Sequence, residues 1–179
     1  EVSKVASAVV GCGCFWGVEY YYKKLKKGTN PHILNLSPPI NMDIKWFGGH
    51  VAYTISKYNM SMIAYGLSAE LKQYKIAANT LWPRTTIATA AVQNLLGGEA
   101  LMRMSRTSEI IADAAYYILS RPSDKCTGNF FIDEQVLAEE GITGDVILNP
   151  GLVHSSDGVM RVDYRLINSD RVLLSDLGT

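Results

Sequence analysis

The chain has 179 residues, 47% of them hydrophobic and 19% charged, with 17 basic side chains against 17 acidic ones. That balance belongs to a globular fold with room for one domain with a substantial core, or one domain plus a small appendage. Zero net charge gives no ground for a nucleic-acid or anionic-membrane partner, and no window of about 18 apolar residues is present to cross a bilayer.

Residues 5–10 (Val-Ala-Ser-Ala-Val-Val) read as a short buried strand. A glycine-cysteine turn at 11–14 follows, then a predicted helix that Gly28 stops near Lys27. A second buried strand is expected at 32–37, ended by Pro38-Pro39. Residues 40–50 read as a loop.

The most strongly patterned helix runs from about Val51 to Tyr74, with Met60, Ile63, Ala64, Leu67 and Leu71 on one stripe. A third strand is predicted at 75–81 and is closed by Trp82-Pro83. A loop with a short helix is expected over 84–105. Thr107 or Ser108 caps a helix from Glu109 to Ser120, with Ile110, Ile111, Ala114, Ala115 and Ile118 facing inward. A fourth strand is expected at 128–133. After Pro150 the character changes to a polar tail, with a strand pattern at 159–167.

Strands alternating with helices predict an α/β fold, a parallel sheet with helices on its faces. Ligands in such sheets sit beyond the carboxyl ends of the strands. Ser37, the Trp82–Thr89 loop and the head of the Val51 helix are therefore expected at one edge.

Tyr53 and Lys57 stand four apart at that helix head and leave the same face. An ammonium beside a phenol favours the phenolate, so the pairing is expected to lower the tyrosine pKa and make it a proton donor and acceptor. Tyr20/Lys24 and Tyr22/Lys26 share the spacing, and an exposed i,i+4 pair is the plainer alternative for each. Position at the sheet edge favours Tyr53.

Cys12, Cys14 and Cys126 are too few for a disulfide framework or a four-ligand zinc site, and His32, His50 and His154 show no paired metal spacing. No metal is expected. A reducing, intracellular compartment is the simplest inference. The chain begins at Glu1 without Met and without a signal-peptide layout, as a processed or truncated product would.

Several runs carry a resemblance over residues 31–150. They are His32-Ile-Leu-Asn-Leu-Ser-Pro-Pro39, Ala52-Tyr-Thr-Ile-Ser-Lys-Tyr58, Leu81-Trp-Pro-Arg-Thr85, Ile110-Ile-Ala-Asp-Ala-Ala-Tyr116 and Thr127-Gly-Asn-Phe-Phe-Ile-Asp-Glu134. In this order they resemble the second half of a short-chain dehydrogenase/reductase catalytic domain. The resemblance implies a partial Rossmann-like sheet and hydride transfer between NAD or NADP and a small-molecule carbonyl or alcohol, of lipid type. It also implies a mitochondrial or peroxisomal setting.

By the same resemblance, Tyr53 exchanges the proton, Lys57 holds the nicotinamide ribose, and Ser37 polarises the substrate carbonyl. Pro83 and Thr89 belong to the cofactor-binding loop. Pro38 occupies the place where the family usually has its serine. The family's cofactor glycines and its Asn-Ala-Gly run have no counterpart in this chain. Weak cofactor binding, or a degenerate enzyme, is therefore expected.

Residues 1–30 carry a second resemblance. Gly13-Cys-Phe-Trp-Gly-Val-Glu19 is similar to the active-site segment of the A-type peptide methionine sulfoxide reductases. It implies a Cys14 thiolate, stabilised at a helix N-terminus, that attacks a sulfoxide sulfur. The alternative is that Cys14 is a buried small residue at a helix start. With 151–179 unassigned, the chain reads as a composite: a natural fusion, a gene-model error or a chimera. A non-catalytic fragment that self-associates through an open sheet edge, giving a homo-oligomer, is the third alternative.

Overall fold

The computed structural model describes residues 28–103 and 105–142. The strand expected at 5–10, the helix ending near Lys27, Cys14 and the 159–167 strand lie outside them. The chain divides into two compact units, Glu1–Trp82 with Ala115–Phe131 and Pro83–Ala114 with Ile132–Thr179.

The first unit is built on a sheet of three strands in the order β1 (His32–Leu36), β2 (Ala77–Trp82) and β3 (Phe130–Ile132), the last running one residue into the second unit. β1 and β2 pair in parallel, His32 opposite Ala77 and Leu36 opposite Leu81. The chain enters β3 alongside β2, Gly128 N donating to Ala78 O at 2.9 Å and Thr80 N to Asn129 O at 2.9 Å. Parallel neighbours need a crossover, and helix α1 (Val51–Glu70) supplies it.

Ile33, Leu71, Ile76 and Ala78 make a buried cluster against which Leu67 packs. Burying one Ile or Leu side chain contributes about 1.5–3 kcal/mol. The cluster therefore holds the helix end on the sheet more firmly than any single hydrogen bond.

The stripe expected on α1 holds only in part. Ala64 and Leu71 are buried, but Ile63 is 48% exposed. The inward face is instead polar at Thr54, Tyr58, Ser61 and Ser68. The first three meet a loop rather than the sheet, whereas Ser68 Oγ donates to Tyr65 O within the helix. Thr54 Oγ1 donates to Trp46 O, Tyr58 OH to Asn41 O at 2.7 Å, and Ser61 Oγ to Pro38 O at 2.6 Å. The loop 37–50, which contains one turn of 3-10 helix at Ile44–Trp46, has partly buried carbonyls that need partners. Three hydroxyls on one face of α1 provide them.

α1 ends four residues short of the expectation, followed by a 3-10 turn at Lys72–Tyr74. Lys75 then takes φ 56°, a left-handed conformation that L side chains seldom adopt, and reverses the chain into β2. Gly128 is at φ 78°, and a Cβ there would lie 3.0 Å from Ser68 Oγ. Both conformation and space call for glycine before β3.

In the second unit a π-helical turn at Val92–Leu96 precedes the short helix α2 (Gly98–Arg103). Helix α3 (Glu109–Ser120), which the unit boundary crosses, has the predicted bounds. Ile110, Ala114 and Ile118 have no exposed surface, while Ile111 and Ala115 are partly covered. A helix α4 (Asp133–Glu139) continues directly from β3 and was not expected. No helix among the described residues is long and apolar enough to cross a membrane.

Candidate active site

In the first unit the site residues stand at the carboxyl ends of β1 and β2. Asn35, on β1, ties that strand to α1 by donating from Nδ2 to Met60 O at 2.9 Å. Ser37, one residue past β1, is fully buried, and its hydroxyl has no hydrogen-bond partner among the described residues. Its neighbour Pro38 is bonded to Ser61 of α1. Trp82 closes β2, and the Lys57 ammonium lies over its ring, 5.4 Å from the centroid. A cation at that distance from an indole face is attracted by the ring quadrupole.

Tyr53 is one turn earlier on α1 and 57% exposed. The expected lowering of its pKa by Lys57 is absent. Partial burial instead pushes the phenol above its ordinary value of 10.0, because a phenolate is poorly solvated there. The Lys57 ammonium lies over Trp82, and burial is the cause of the Tyr53 shift. The tyrosine is thus a protonated acid at neutral pH. On the opposite side of α1, about 180° round the helix from Tyr53, Val51, Ile55 and Met62 are more than half exposed and form an apolar stripe.

Pro83 and Thr89 belong to the second unit. Thr89 is exposed, and its Oγ1 accepts from Val92 N at 3.4 Å, just ahead of the π-helical turn. The segment between them is held by charges that the sequence reading did not single out. Asp133 is fully buried, and its Oδ1 accepts from Arg84 N at 2.9 Å and Glu134 N at 2.8 Å. Arg106 is also fully buried and forms an ion pair with Glu134. Burial pushes the Asp133 carboxyl up to about 6, against the opposing pull of the two amides and Arg106.

The one signal in the sequence was Asp133 directly after the apolar run Phe130-Phe131-Ile132, where a charged residue is rarely buried unless paired. Cys126 is buried, and its backbone carbonyl accepts from Asn79 Nδ2 at 2.7 Å. Among the described residues no three His, Cys, Asp or Glu side chains come together as metal ligands.

No family model matches the chain. Among solved structures, a short-chain dehydrogenase from Mycobacterium thermoresistibile is 52% identical with a TM-score of 0.60, over 68% of this chain and 43% of that one. A dehydrogenase structure from Xanthomonas campestris is 44% identical with a TM-score of 0.63, over 68% and 44% of the two chains. The parallel sheet and its crossover helix thus have the architecture of a short-chain dehydrogenase.

The sequence is more particular. Over 118 residues, 66% of this chain, it is 57% identical to hydroxysteroid dehydrogenase-like protein 2 of Xenopus tropicalis and 52% identical to that of Homo sapiens. The chain spans 28% of the length of these relatives.

Proposed function

We propose that this chain contributes the proton-transfer residues of a short-chain dehydrogenase acting on a carbonyl or alcohol, of lipid type, with NAD or NADP. The observation that carries the reading is the disposition of Tyr53 and Lys57 on one face of α1, with Lys57 against Trp82 at the carboxyl end of β2. The identity to short-chain dehydrogenases over two-thirds of the chain supports it.

The residues suit the nicotinamide end of such a cofactor. Lys57 is a flexible cation able to reach ribose hydroxyls, and Ser37 is a buried donor unpartnered among the described residues. Pro83 and Thr89 are the cofactor-loop positions. No glycine-rich pyrophosphate turn is found among the described residues. When bound, the nicotinamide supplies or accepts the hydride.

The proton belongs to Tyr53. Because burial raises its pKa, the phenol is the acid at neutral pH and donates to a carbonyl oxygen as negative charge develops there. Carbonyl reduction is the direction favoured near neutrality, and alcohol oxidation gains as pH rises toward the phenol's pKa. Lys57 holds the ribose, and Ser37, once its hydroxyl is reached, polarises the carbonyl.

The test is a fluorescence titration with the reduced nicotinamide nucleotides. Enhanced fluorescence that Lys57→Met weakens about tenfold or more agrees with the reading. A flat signal at millimolar nucleotide defeats it. The exposed apolar stripe Val51, Ile55 and Met62 supports a homo-oligomer, for which light scattering of a strictly monomeric species would count as the contrary result.

A further inference from the structure

We propose that Asp133 is a positioning residue that, when ionised, latches the segment Pro83–Thr89 into shape, and that its protonation loosens that segment. The geometry stands by itself; the consequence for nucleotide binding rests on the function proposed above.

The segment is held at three backbone points. At its start, Arg84 N donates to Asp133 Oδ1 at 2.9 Å. Further on, Arg106 N donates to Thr86 O at 2.9 Å, and Ala88 N donates to Arg106 O at 2.7 Å. These two bonds form a parallel bridge in which Ile87 faces Arg106. The Ser105 and Thr86 hydroxyls are hydrogen-bonded at 2.8 Å. The Arg106 contacts are backbone bonds and do not titrate. The Asp133 contact does.

Asp133 sits at the junction of β3 and α4, fully buried. One oxygen serves two amides, those of Arg84 and Glu134, as charge-assisted bonds about twice as strong as neutral ones. The other oxygen, Oδ2, is buried without a hydrogen bond from any of the described residues. The charged groups that face the carboxylate are Arg106, which favours its ionisation, and Glu134, which opposes it. Two amides and one arginine only partly compensate a buried anion whose second oxygen is bare. Its carboxyl is accordingly raised to about 6, and the latch is sensitive to mild acid.

An asparagine would keep an acceptor for Arg84 N without the cost of a buried charge. The carboxylate therefore confers two things that asparagine does not: a stronger hold on Arg84 and a pH dependence.

The experiment follows the backbone amides of Arg84 and Glu134 by NMR in the full chain between pH 5 and 8, with reduced nicotinamide nucleotide titrated at each pH. In the wild type both amides are expected to titrate with a midpoint near 6, and Arg84 N–H to exchange faster with solvent below it. The nucleotide dissociation constant should rise about fivefold between pH 7.5 and 5. Asp133→Asn should abolish all of these pH dependences while keeping the helix signal in circular dichroism.

Amides that do not titrate, or that still titrate in Asp133→Asn, overturn the latch. A titrating Arg84 amide with a pH-independent dissociation constant overturns its positioning role. If nucleotide binds at no pH, the functional reading fails, and the amide profile alone decides the latch. Should Asp133→Asn fold poorly, Asp133→Glu serves: it displaces the acceptor by one methylene, and a latch predicts a shifted Arg84 resonance that still titrates.

Discussion

The two units bury polar groups in different ways. In the first, those beneath α1 are neutral hydroxyls, Thr54, Ser61 and Ser68, each donating to a backbone carbonyl. The second buries hydroxyls too, Thr86 and Ser105, but adds charges, Arg106 with Glu134 and Asp133 on two amides. A hydroxyl pair contributes about 1 kcal/mol and is indifferent to pH, whereas a buried charge costs several kcal/mol in desolvation that its partners must offset. The contrast separates two tasks: fixing a loop against a helix permanently, and holding a segment through a group that can change state.

Even the ionisable groups differ in sign. His32 is buried with Nε2 3.0 Å from Arg121 O, and burial pushes its pKa below 6.5. The folded state thus binds this proton less well than the unfolded one, and stability is lost as pH falls below about 6.5. Asp133 is raised from 3.8 to about 6. Its folded state binds the proton better, so stability falls as pH rises from about 4 to 6.

The largest expected effect lies in the first unit. Tyr53→Phe should lower turnover of a carbonyl substrate by about 10²- to 10⁴-fold while leaving nucleotide affinity within about twofold; an unchanged turnover number would remove Tyr53 from the chemistry. Next, Arg106→Ala leaves Glu134 without its buried cation and should cost about 3–5 kcal/mol in denaturant unfolding. The exposed pair Lys45–Asp43 is the control, Lys45→Ala costing less than about 1 kcal/mol. Equal losses from the two would erase the distinction between the units.

Smaller effects read the pH slopes. Asp133→Asn should stabilise the chain at pH 7 by about 3 kcal/mol and remove the fall between pH 4 and 6. His32→Gln should flatten the acid side below pH 6.5, and melting curves across pH would expose an error in either sign. The smallest change is Ser61→Ala, about 1 kcal/mol with no pH dependence, since Pro38 O loses one bond.

Much of the frame was legible beforehand. The runs around His32, Ala77 and Phe130 are apolar and short, and Ile110, Ala114 and Ile118 repeat at helical spacing before Pro122. Local pattern suffices for such elements because one buried face dominates them. The inward face of α1 was not legible. Its hydroxyls look like a solvated surface until the loop 37–50 is folded against them, and then it is Ile63 that faces water. Helix α4 was missed because it follows β3 with no intervening turn residue.

The site divides in the same way. The spacing of Tyr53 and Lys57 is a property of the chain, because any helix places residues four apart on one face. Whether Lys57 acts on the phenol depends on what lies nearby in three dimensions. In this fold the ammonium lies over Trp82, brought there by the pairing of β2 with β1, and burial raises the Tyr53 pKa rather than lowering it.

Asp133 and Arg106, 27 positions apart in sequence, become one electrostatic group only when the start of α4 returns beside Arg84 and Arg106 within the second unit. Periodicity along the chain encodes which face of an element is buried. Long-range packing sets the dielectric and the neighbours of a charge, and with them its protonation state.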